Sequence, residues 1–256
     1  MTQPWKTAIT RVQPNEVRLR GYCIDDLMGQ ASFAQVVYLA IMGELPSPAV
    51  GRLIDAMLVS SIDHGVTPPS TEAARVAAST GAPLNAAIAA GVLSINKHHG
   101  GAIYDSMSIL EELIRRSAES SLPLSSVAAT LVAEFKAAKQ KLAGFGHRVH
   151  TNDPRTARLL ALADELGLAG QGVAAARAIE GVFAQAGKPL PINVDGALAA
   201  LLIDLALPHE LANAFFIMAR VPGLVAQIHE EQTREKPMRR INPLDAEYDG
   251  PGERRV

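Results

Sequence analysis

The stretch LPSPAVGRLIDAMLVSSIDHG, which runs from residue 45 to residue 65, shows how this chain builds its fold. Ser47 is predicted to cap a helix that starts at Pro48, because serine accepts a backbone hydrogen bond there and proline needs no N–H partner. The apolar residues that follow recur at helical spacing, namely Leu53, Ile54, Met57 and Leu58. Gly65 is expected to end this helix.

Similar helix signals recur along the whole chain. They lie near residues 32–42, 70–79, 84–96, 101–117, 124–142, 154–167, 171–186, 195–206 and 209–230. Alternating β-branched runs are nearly absent from the sequence, and helix formers such as Ala, Leu and Glu dominate. We therefore predict an all-α fold of about ten helices. It forms a single domain over residues 1–256, in which residues 232–256 are a polar, proline-rich, extended tail.

The composition limits the class of protein. Hydrophobic residues make up 48% of the 256 residues and charged residues 20%, with a net charge of −2. This supplies a core and gives no reason to expect a nucleic-acid partner. The apolar runs that stand out are shorter than the roughly 20 residues that a bilayer requires, so no membrane segment is expected. With no signal peptide predicted and one cysteine, Cys23, we expect a cytoplasmic protein.

Residues 73–92 are unusually rich in Ala and Gly. Small side chains let helices approach closely, which is compatible with two arrangements. One is a tight core within the chain, and the other is a helix–helix contact across a dimer. The sequence does not decide between them.

Polar residues of catalytic type concentrate at four glycine-containing helix ends. These are SSIDHG (60–65), NKHHGGAIYDSM (96–107), AGFGHRVHTNDPR (143–155) and KPLPINVDGALAALL (188–202). Each has a purely structural alternative, such as His64 as a cation at a helix end or Asp195 as an N-cap. Together they place His, Asp and Arg beside helix N-termini that favour anions and glycines that admit a ligand. This combination favours acid–base chemistry on a ligand that carries carboxylates.

Other chemistries find little support in the motifs. The chain has no HExxH segment and no second cysteine, and the adjacent His98 and His99 would point apart on a helix. It also lacks the GxSxG motif of serine hydrolases and a nucleotide-binding P-loop. We therefore expect no metal site.

Read in order, five segments resemble the citrate synthase superfamily, and within it the citryl-CoA lyases, including the lyase module of ATP-citrate lyase. They are VRLRGYCIDDLMGQASFAQVVYLAIMGELPS (17–47), the segment from DHG to HHGG (63–101), GFGHRVHTNDPR (144–155), INVDGALAALLIDLALP (192–208) and ARVPGLVAQIHEE (219–231). The resemblance implies an all-α fold that forms a homodimer or a higher homo-oligomer, in a short form that lacks the N-terminal helices of full-length synthases.

The resemblance also implies roles for individual residues. His99 would polarise the thioester carbonyl, His147 would act on the oxaloacetate carbonyl or the corresponding alcohol, and Asp195 would exchange a proton with the acetyl methyl carbon. The residues implied to hold substrate carboxylates are His64, Arg155 and Arg220. Those implied to contact coenzyme A are Gly144, Phe145, Gly146, Arg148 and Asn193. Coenzyme A thioester enters as substrate or product, and no bound cofactor is implied.

Two positions depart from the pattern of true synthases. Asp195 is followed by Gly196, as in the lyase module, where synthases usually carry an aromatic residue. Asn242 stands where a substrate arginine is expected, and either Arg239 or Arg240 is a candidate to replace it.

The function implied is reversible cleavage of a 3-hydroxy-3-carboxyacyl-CoA, most simply citryl-CoA to acetyl-CoA and oxaloacetate. Its small-molecule partners would be an acyl-CoA and a di- or tricarboxylate. A short citrate or 2-methylcitrate synthase is the nearest alternative, because the same residues serve both directions. A non-catalytic protein that binds CoA or a dicarboxylate is a second alternative, and a metal-dependent hydrolase ranks last.

Overall fold

The computed structural model describes residues 5–146, 153–245, 247, 249–250, 252 and 255. Three short strands open the described part: β1 (Thr10–Gln13), β2 (Glu16–Leu19) and β3 (Tyr22–Cys23). The α-helices are α1 (Ile24–Leu27), α2 (Phe33–Met42), α3 (Pro48–Ser60), α4 (Pro69–Ser79), α5 (Leu84–Leu93), α6 (Ala102–Ser120), α7 (Leu124–Ala137), α8 (Pro154–Glu165), α9 (Gln171–Gln185), α10 (Val194–Asp204) and α11 (Ala212–Arg234). Short 3₁₀ helices lie at His209–Leu211 and Pro243–Asp245.

The strands form an antiparallel sheet in the order β1-β2-β3, with Arg11 opposite Arg18. The sequence did not predict this sheet, because its strands are two to four residues long and β1 is exposed along its whole length. Such strands lack the alternation of buried and exposed residues that identifies a strand. The Arg20 guanidinium ties the sheet to α2 by donating to the carbonyl of Ala40 at 2.8 and 3.1 Å.

The predicted helical fold is confirmed, with most boundaries correct to a few residues. Ser47 caps α3 as predicted, since its hydroxyl accepts from the backbone N–H of Val50 at 3.3 Å. The end predicted for this helix was wrong, because α3 stops at Ser60. Gly65 lies in the turn that follows, with φ +72, and its N–H donates to the Asp63 carboxylate at 3.0 Å.

The chain divides into two compact units. Unit 1 comprises Met1–Ile62 and Gly100–Ala219, and unit 2 comprises Asp63–His99 and Arg220–Val256. Helix α10 is the centre of unit 1: it packs against α6, α8 and α9, and its residues from Ala197 to Leu202 are all buried. The single domain over residues 1–256 and the extended tail at 232–256 stay predictions.

Unit 2 is built on the pair α4 and α5 together with the part of α11 that belongs to it. Its core consists of Ala74, Ala78, Ala87, Leu224 and Ile228. A Cβ atom at Gly91 would lie 2.9 Å from the carbonyl oxygen of Ser70 and 2.8 Å from Leu224 Cδ1. This close approach supports the tight-core interpretation of residues 73–92, while the contact across a dimer stays a prediction.

Among the described residues one helix, His209–Arg234, is long and apolar enough to cross a bilayer, with a mean hydropathy of 1.5 in its most apolar window. The sequence expectation missed this segment because it compared shorter apolar runs. In this window 44% of the residues are buried, and Leu224 and Ile228 fill the core of unit 2. A core helix of a globular protein has these properties.

Candidate active site

In unit 1, hydrogen bonds join the glycine-rich turn at residues 144–146 to the segment that leads into α10. The N–H of Gly146 donates to the carbonyl of Pro191 at 2.8 Å, and the N–H of Asn193 donates to the carbonyl of Gly144 at 3.0 Å. The side-chain amide of Asn193 donates to the carbonyl of Gly146 at 2.8 Å. Phe145 pairs with Ile192 in an isolated antiparallel bridge. These bonds bring together the predicted coenzyme A contacts that the structure describes.

Gly144 and Gly196 approach each other too closely for a side chain on either. A Cβ atom at Gly196 would overlap the carbonyl oxygen of Gly144 and lie 2.9 Å from its carbonyl carbon. A Cβ atom at Gly144, where φ is +85, would overlap Ser106 Oγ and lie 2.8 Å from Gly196 Cα. The presence of Gly196, where synthases usually carry an aromatic residue, therefore has a steric reason. An aromatic side chain at position 196 does not fit this backbone arrangement.

Asp195 is the second residue of α10, and it does not cap the helix. The cap is Asn193, whose side-chain oxygen accepts from the N–H of Gly196 at 3.1 Å. The interpretation of Asp195 as an N-cap is therefore wrong. Its half-buried carboxylate lies in the first turn, where the helix dipole favours negative charge, and the following turns of α10 are buried and apolar.

Arg155 forms an ion pair with Asp153, a residue for which no role was predicted. The buried Asp153 caps α8 through the N–H of Arg155 at 2.9 Å. The same carboxylate accepts from Arg155 Nε at 3.0 Å and from a terminal nitrogen of that guanidinium at 2.7 Å. The other terminal nitrogen donates to the carbonyl of Ser60 at 3.4 Å. Asp153, Pro154 and Arg155 thus form the start of α8, and a carboxylate ligand of Arg155 would have to bind beside its pair with Asp153.

His99 lies in unit 2, in a turn where its backbone exchanges two hydrogen bonds of 2.9 Å with Asn96. Its Nε2 lies 2.7 Å from the hydroxyl oxygen of Ser70, a fully buried residue in the first turn of α4. The sequence offered no signal for Ser70 beyond its place at a helix start.

Burial lowers the pKa of His99, and the positive charge of Arg220 lowers it further. Both effects disfavour the imidazolium, so His99 is held as a neutral ring. Arg220 is itself buried, with 2% of its surface exposed, near the start of the part of α11 that belongs to unit 2. A buried guanidinium beside a neutral histidine favours binding of an anion.

His64 is exposed on the loop that follows α3. The residue before it, Asp63, accepts hydrogen bonds from the side-chain amide of Gln227 at 3.1 and 3.3 Å. No role was predicted for Gln227, because it lies 164 positions from Asp63 in the chain.

Arg239 and Arg240 are the two arginines proposed to replace the one missing at Asn242. Arg239 donates to the buried carboxylate of Glu231 at 2.9 and 2.6 Å, and its N–H donates to Ser79 Oγ at 3.1 Å. Both side chains are exposed. These contacts give Arg239 a structural role, and the replacement of the missing arginine by either residue stays a prediction.

The predicted site residues thus fall into two groups. Unit 1 holds Gly144, Phe145, Gly146, Arg155, Asn193 and Asp195, and unit 2 holds His64, His99 and Arg220. His147 and Arg148 lie outside the described residues.

Residues 45–241 match the family model described as citrate synthase, C-terminal domain, and the chain therefore belongs to the citrate synthase family. The predicted superfamily is thereby confirmed. The fold is similar to that of citryl-CoA lyase from Hydrogenobacter thermophilus, with 41% identity and a TM-score of 0.89 over 99% of this chain and 98% of that one.

Two further relatives are longer than this chain. Citrate synthase 2 from Bacillus subtilis is 31% identical over 214 residues, which are 82% of this chain and 54% of that protein. The chain therefore spans about half the length of the curated synthases that it matches. ATP citrate lyase from Methanosaeta concilii, solved with (3S)-citryl-CoA, is 22% identical with a TM-score of 0.80, over 99% of this chain and 43% of that one, and it shows the shared fold.

Proposed function

We propose that this chain is a citryl-CoA lyase-type enzyme that cleaves citryl-CoA to acetyl-CoA and oxaloacetate, reversibly. The observation that carries the proposal is the full-length similarity to citryl-CoA lyase from Hydrogenobacter thermophilus, at 41% identity. The contact between Gly144 and Gly196 supports it, because it leaves no room for the aromatic residue that synthases usually carry after the aspartate.

In the proposed reaction His147 takes the proton from the tertiary alcohol of citryl-CoA. The alkoxide forms the carbonyl of oxaloacetate as the carbon–carbon bond breaks, and the bonding electrons pass to the thioester as an enolate. Asp195 enters the step as the protonated acid and gives its proton to the enolate carbon, which completes acetyl-CoA. Before the next turnover His147 loses the alcohol proton to solvent and Asp195 regains one from solvent. The thioester is the electron sink, so the cleavage requires no metal ion in this scheme.

His99 would stabilise the enolate by donating a hydrogen bond to its oxygen. A neutral imidazole suits this role because it donates without transferring a proton, and the lowered pKa of His99 keeps the ring neutral. Removing a donor of this kind typically costs about 3 kcal/mol of transition-state stabilisation. The contact with Ser70 orients the ring.

Arg155, Arg220 and His64 would hold the carboxylates of the substrate. Arg220 offers a buried guanidinium, which binds carboxylates strongly because little water competes for it. Arg155 already shares its guanidinium with Asp153, so it would position a carboxylate through its remaining donors. Gly144, Phe145 and Gly146 form the turn that would lie against coenzyme A, together with Arg148 and with Asn193, which is hydrogen-bonded to the turn.

A short citrate or 2-methylcitrate synthase is the second candidate, favoured by the 31% identity to citrate synthase 2 from Bacillus subtilis. Two measurements on the same protein separate the candidates. A lyase releases oxaloacetate and acetyl-CoA from citryl-CoA faster than it hydrolyses the thioester. Rapid release of free CoA from acetyl-CoA and oxaloacetate favours a synthase.

The acid–base role is tested by Asp195→Asn. Because Asn193 makes the cap, we expect the free energy of unfolding to change by less than about 1 kcal/mol. Cleavage should fall by about two to four orders of magnitude, while oxaloacetate still binds. Asp55→Asn on the exposed face of α3 makes the same chemical change away from the site and should leave turnover unchanged. Retained cleavage in a folded Asp195→Asn protein would remove the role.

We propose further that the protein is a cytoplasmic homodimer. Exposed apolar side chains on α4 and α5 support a contact between two copies, namely Val76, Leu84 and Leu93. The single cysteine suits a reducing compartment.

A further inference from the structure

A side-chain network in unit 2 ends at the loop that carries His64. The amide nitrogen of Gln227 donates to both carboxylate oxygens of Asp63, at 3.1 and 3.3 Å. The amide oxygen of the same side chain accepts from Arg75 at 2.6 Å. The Asp63 carboxylate also accepts from the N–H of Gly65 at 3.0 Å. This bond closes a turn that contains His64, the residue between them. Gln227 therefore joins helix α11 to the turn in which His64 lies.

The other end of this network is buried and charged. Arg75, with 4% of its surface exposed, donates to Glu231 at 2.8 Å and to Glu230 at 3.2 Å. Glu231 is 2% exposed and also accepts from Arg239. A buried ionic group is costly when one partner is removed, so these side chains have little freedom to rearrange.

This arrangement leaves one orientation for the Gln227 amide. A guanidinium only donates and a carboxylate only accepts, so the amide oxygen must face Arg75 and the amide nitrogen must face Asp63. Position 227 therefore requires a side chain that both donates and accepts. A side chain with only donors or only acceptors could form a hydrogen bond with Asp63 or with Arg75, but not with both.

We propose that Gln227 is a positioning residue that holds the Asp63–Gly65 turn and thereby presents His64 to a substrate carboxylate. The inference rests on the proposed function, in which His64 binds that carboxylate. Gln227 acts through Asp63, and its loss lowers affinity for the carboxylate ligand with little effect on the chemical step.

The test compares Gln227→Leu with Gln232→Leu, a matched change on the same helix at an exposed glutamine without a bond to Asp63. Gln227→Leu should raise the Kd for oxaloacetate about tenfold, as expected when the bond from His64 to the charged ligand is lost, and change kcat for citryl-CoA less than about threefold. Gln232→Leu should leave both values at wild type. An unchanged Kd in a folded Gln227→Leu protein overturns the proposal.

A second pair of variants keeps the proposal testable if Gln227→Leu does not fold. Gln227→Glu places a carboxylate against Asp63 and should weaken oxaloacetate binding further. Adding Asp63→Asn supplies an amide donor to the new carboxylate, which still accepts from Arg75, and should restore binding to near wild type. No restoration in the folded double variant overturns the proposal.

A spectroscopic readout separates this inference from the proposed function. The His64 ring signals in a heteronuclear NMR spectrum should move in Gln227→Leu and stay in place in Gln232→Leu. Wild-type protein that does not cleave citryl-CoA refutes the proposed function, and the NMR comparison still tests the positioning. His64 signals that stay unchanged in Gln227→Leu refute the positioning even if cleavage is observed.

Discussion

Replacing Gly196 by alanine tests how the chain brings the turn at Gly144 against the start of α10. The added Cβ atom would overlap the carbonyl oxygen of Gly144 and lie 2.9 and 3.0 Å from its carbonyl carbon and Cα. All three atoms belong to backbone, which cannot turn away as a side chain can. The same carbonyl accepts from the N–H of Asn193 at 3.0 Å, so a shift of the turn also disturbs the capping segment.

Two opposing terms set the size of the effect. Alanine is favoured over glycine inside a helix by at most about 1 kcal/mol. Inserting one methyl group into a packed contact typically costs about 1–3 kcal/mol, and a contact with backbone belongs at the upper end. We therefore expect Gly196→Ala to lower the free energy of unfolding by about 1–2 kcal/mol. A displacement of the turn near 1 Å should reduce cleavage by up to about a hundredfold.

The assay is denaturant unfolding paired with citryl-CoA turnover. Gly181→Ala is the matched control, because Gly181 lies within α9 and a Cβ atom there would meet no atom within 4 Å. We expect this control to gain up to about 1 kcal/mol and to keep full activity. Equal stability of the two variants, with unchanged turnover in Gly196→Ala, would refute the steric argument.

Three further outcomes are expected. The Asp204 carboxylate accepts three backbone N–H groups at the start of α9, at 2.6 to 3.1 Å. Asp204→Ala should therefore cost about 2–3 kcal/mol in urea unfolding, and a loss below about 0.5 kcal/mol contradicts this role. Because the pKa of His99 is lowered from 6.5, the unfolded chain takes up a proton first as the pH falls below 6.5, and stability should drop there. His99→Gln should reduce that pH dependence. An identical slope of stability against pH in the wild type and the variant would argue against a contribution from His99. Light scattering should give a particle of about twice 27.1 kDa, and a monomer at micromolar concentration would refute the dimer.

Much of the helical fold could be predicted from the sequence because helices are built from local interactions. Ser47 and Pro48 mark the start of α3 through bonds within one turn, and the structure reproduces that start. The order of the HHGG, GFGH and NVDG motifs along the chain was enough to identify the family that residues 45–241 match. The short sheet at Thr10–Cys23 escaped prediction because exposed strands this short carry no alternating pattern.

The tertiary structure decided which residues hold the candidate site in place. Asn193 rather than Asp195 caps α10, and Asp153 holds the Arg155 guanidinium. The link from Gln227 to Asp63 joins residues 164 positions apart. Local patterns do not record such contacts, because a side chain's partner depends on how distant segments pack and not on its neighbours in sequence. The sequence by itself therefore determined the helices and the chemical groups available, and packing determined which of those groups meet.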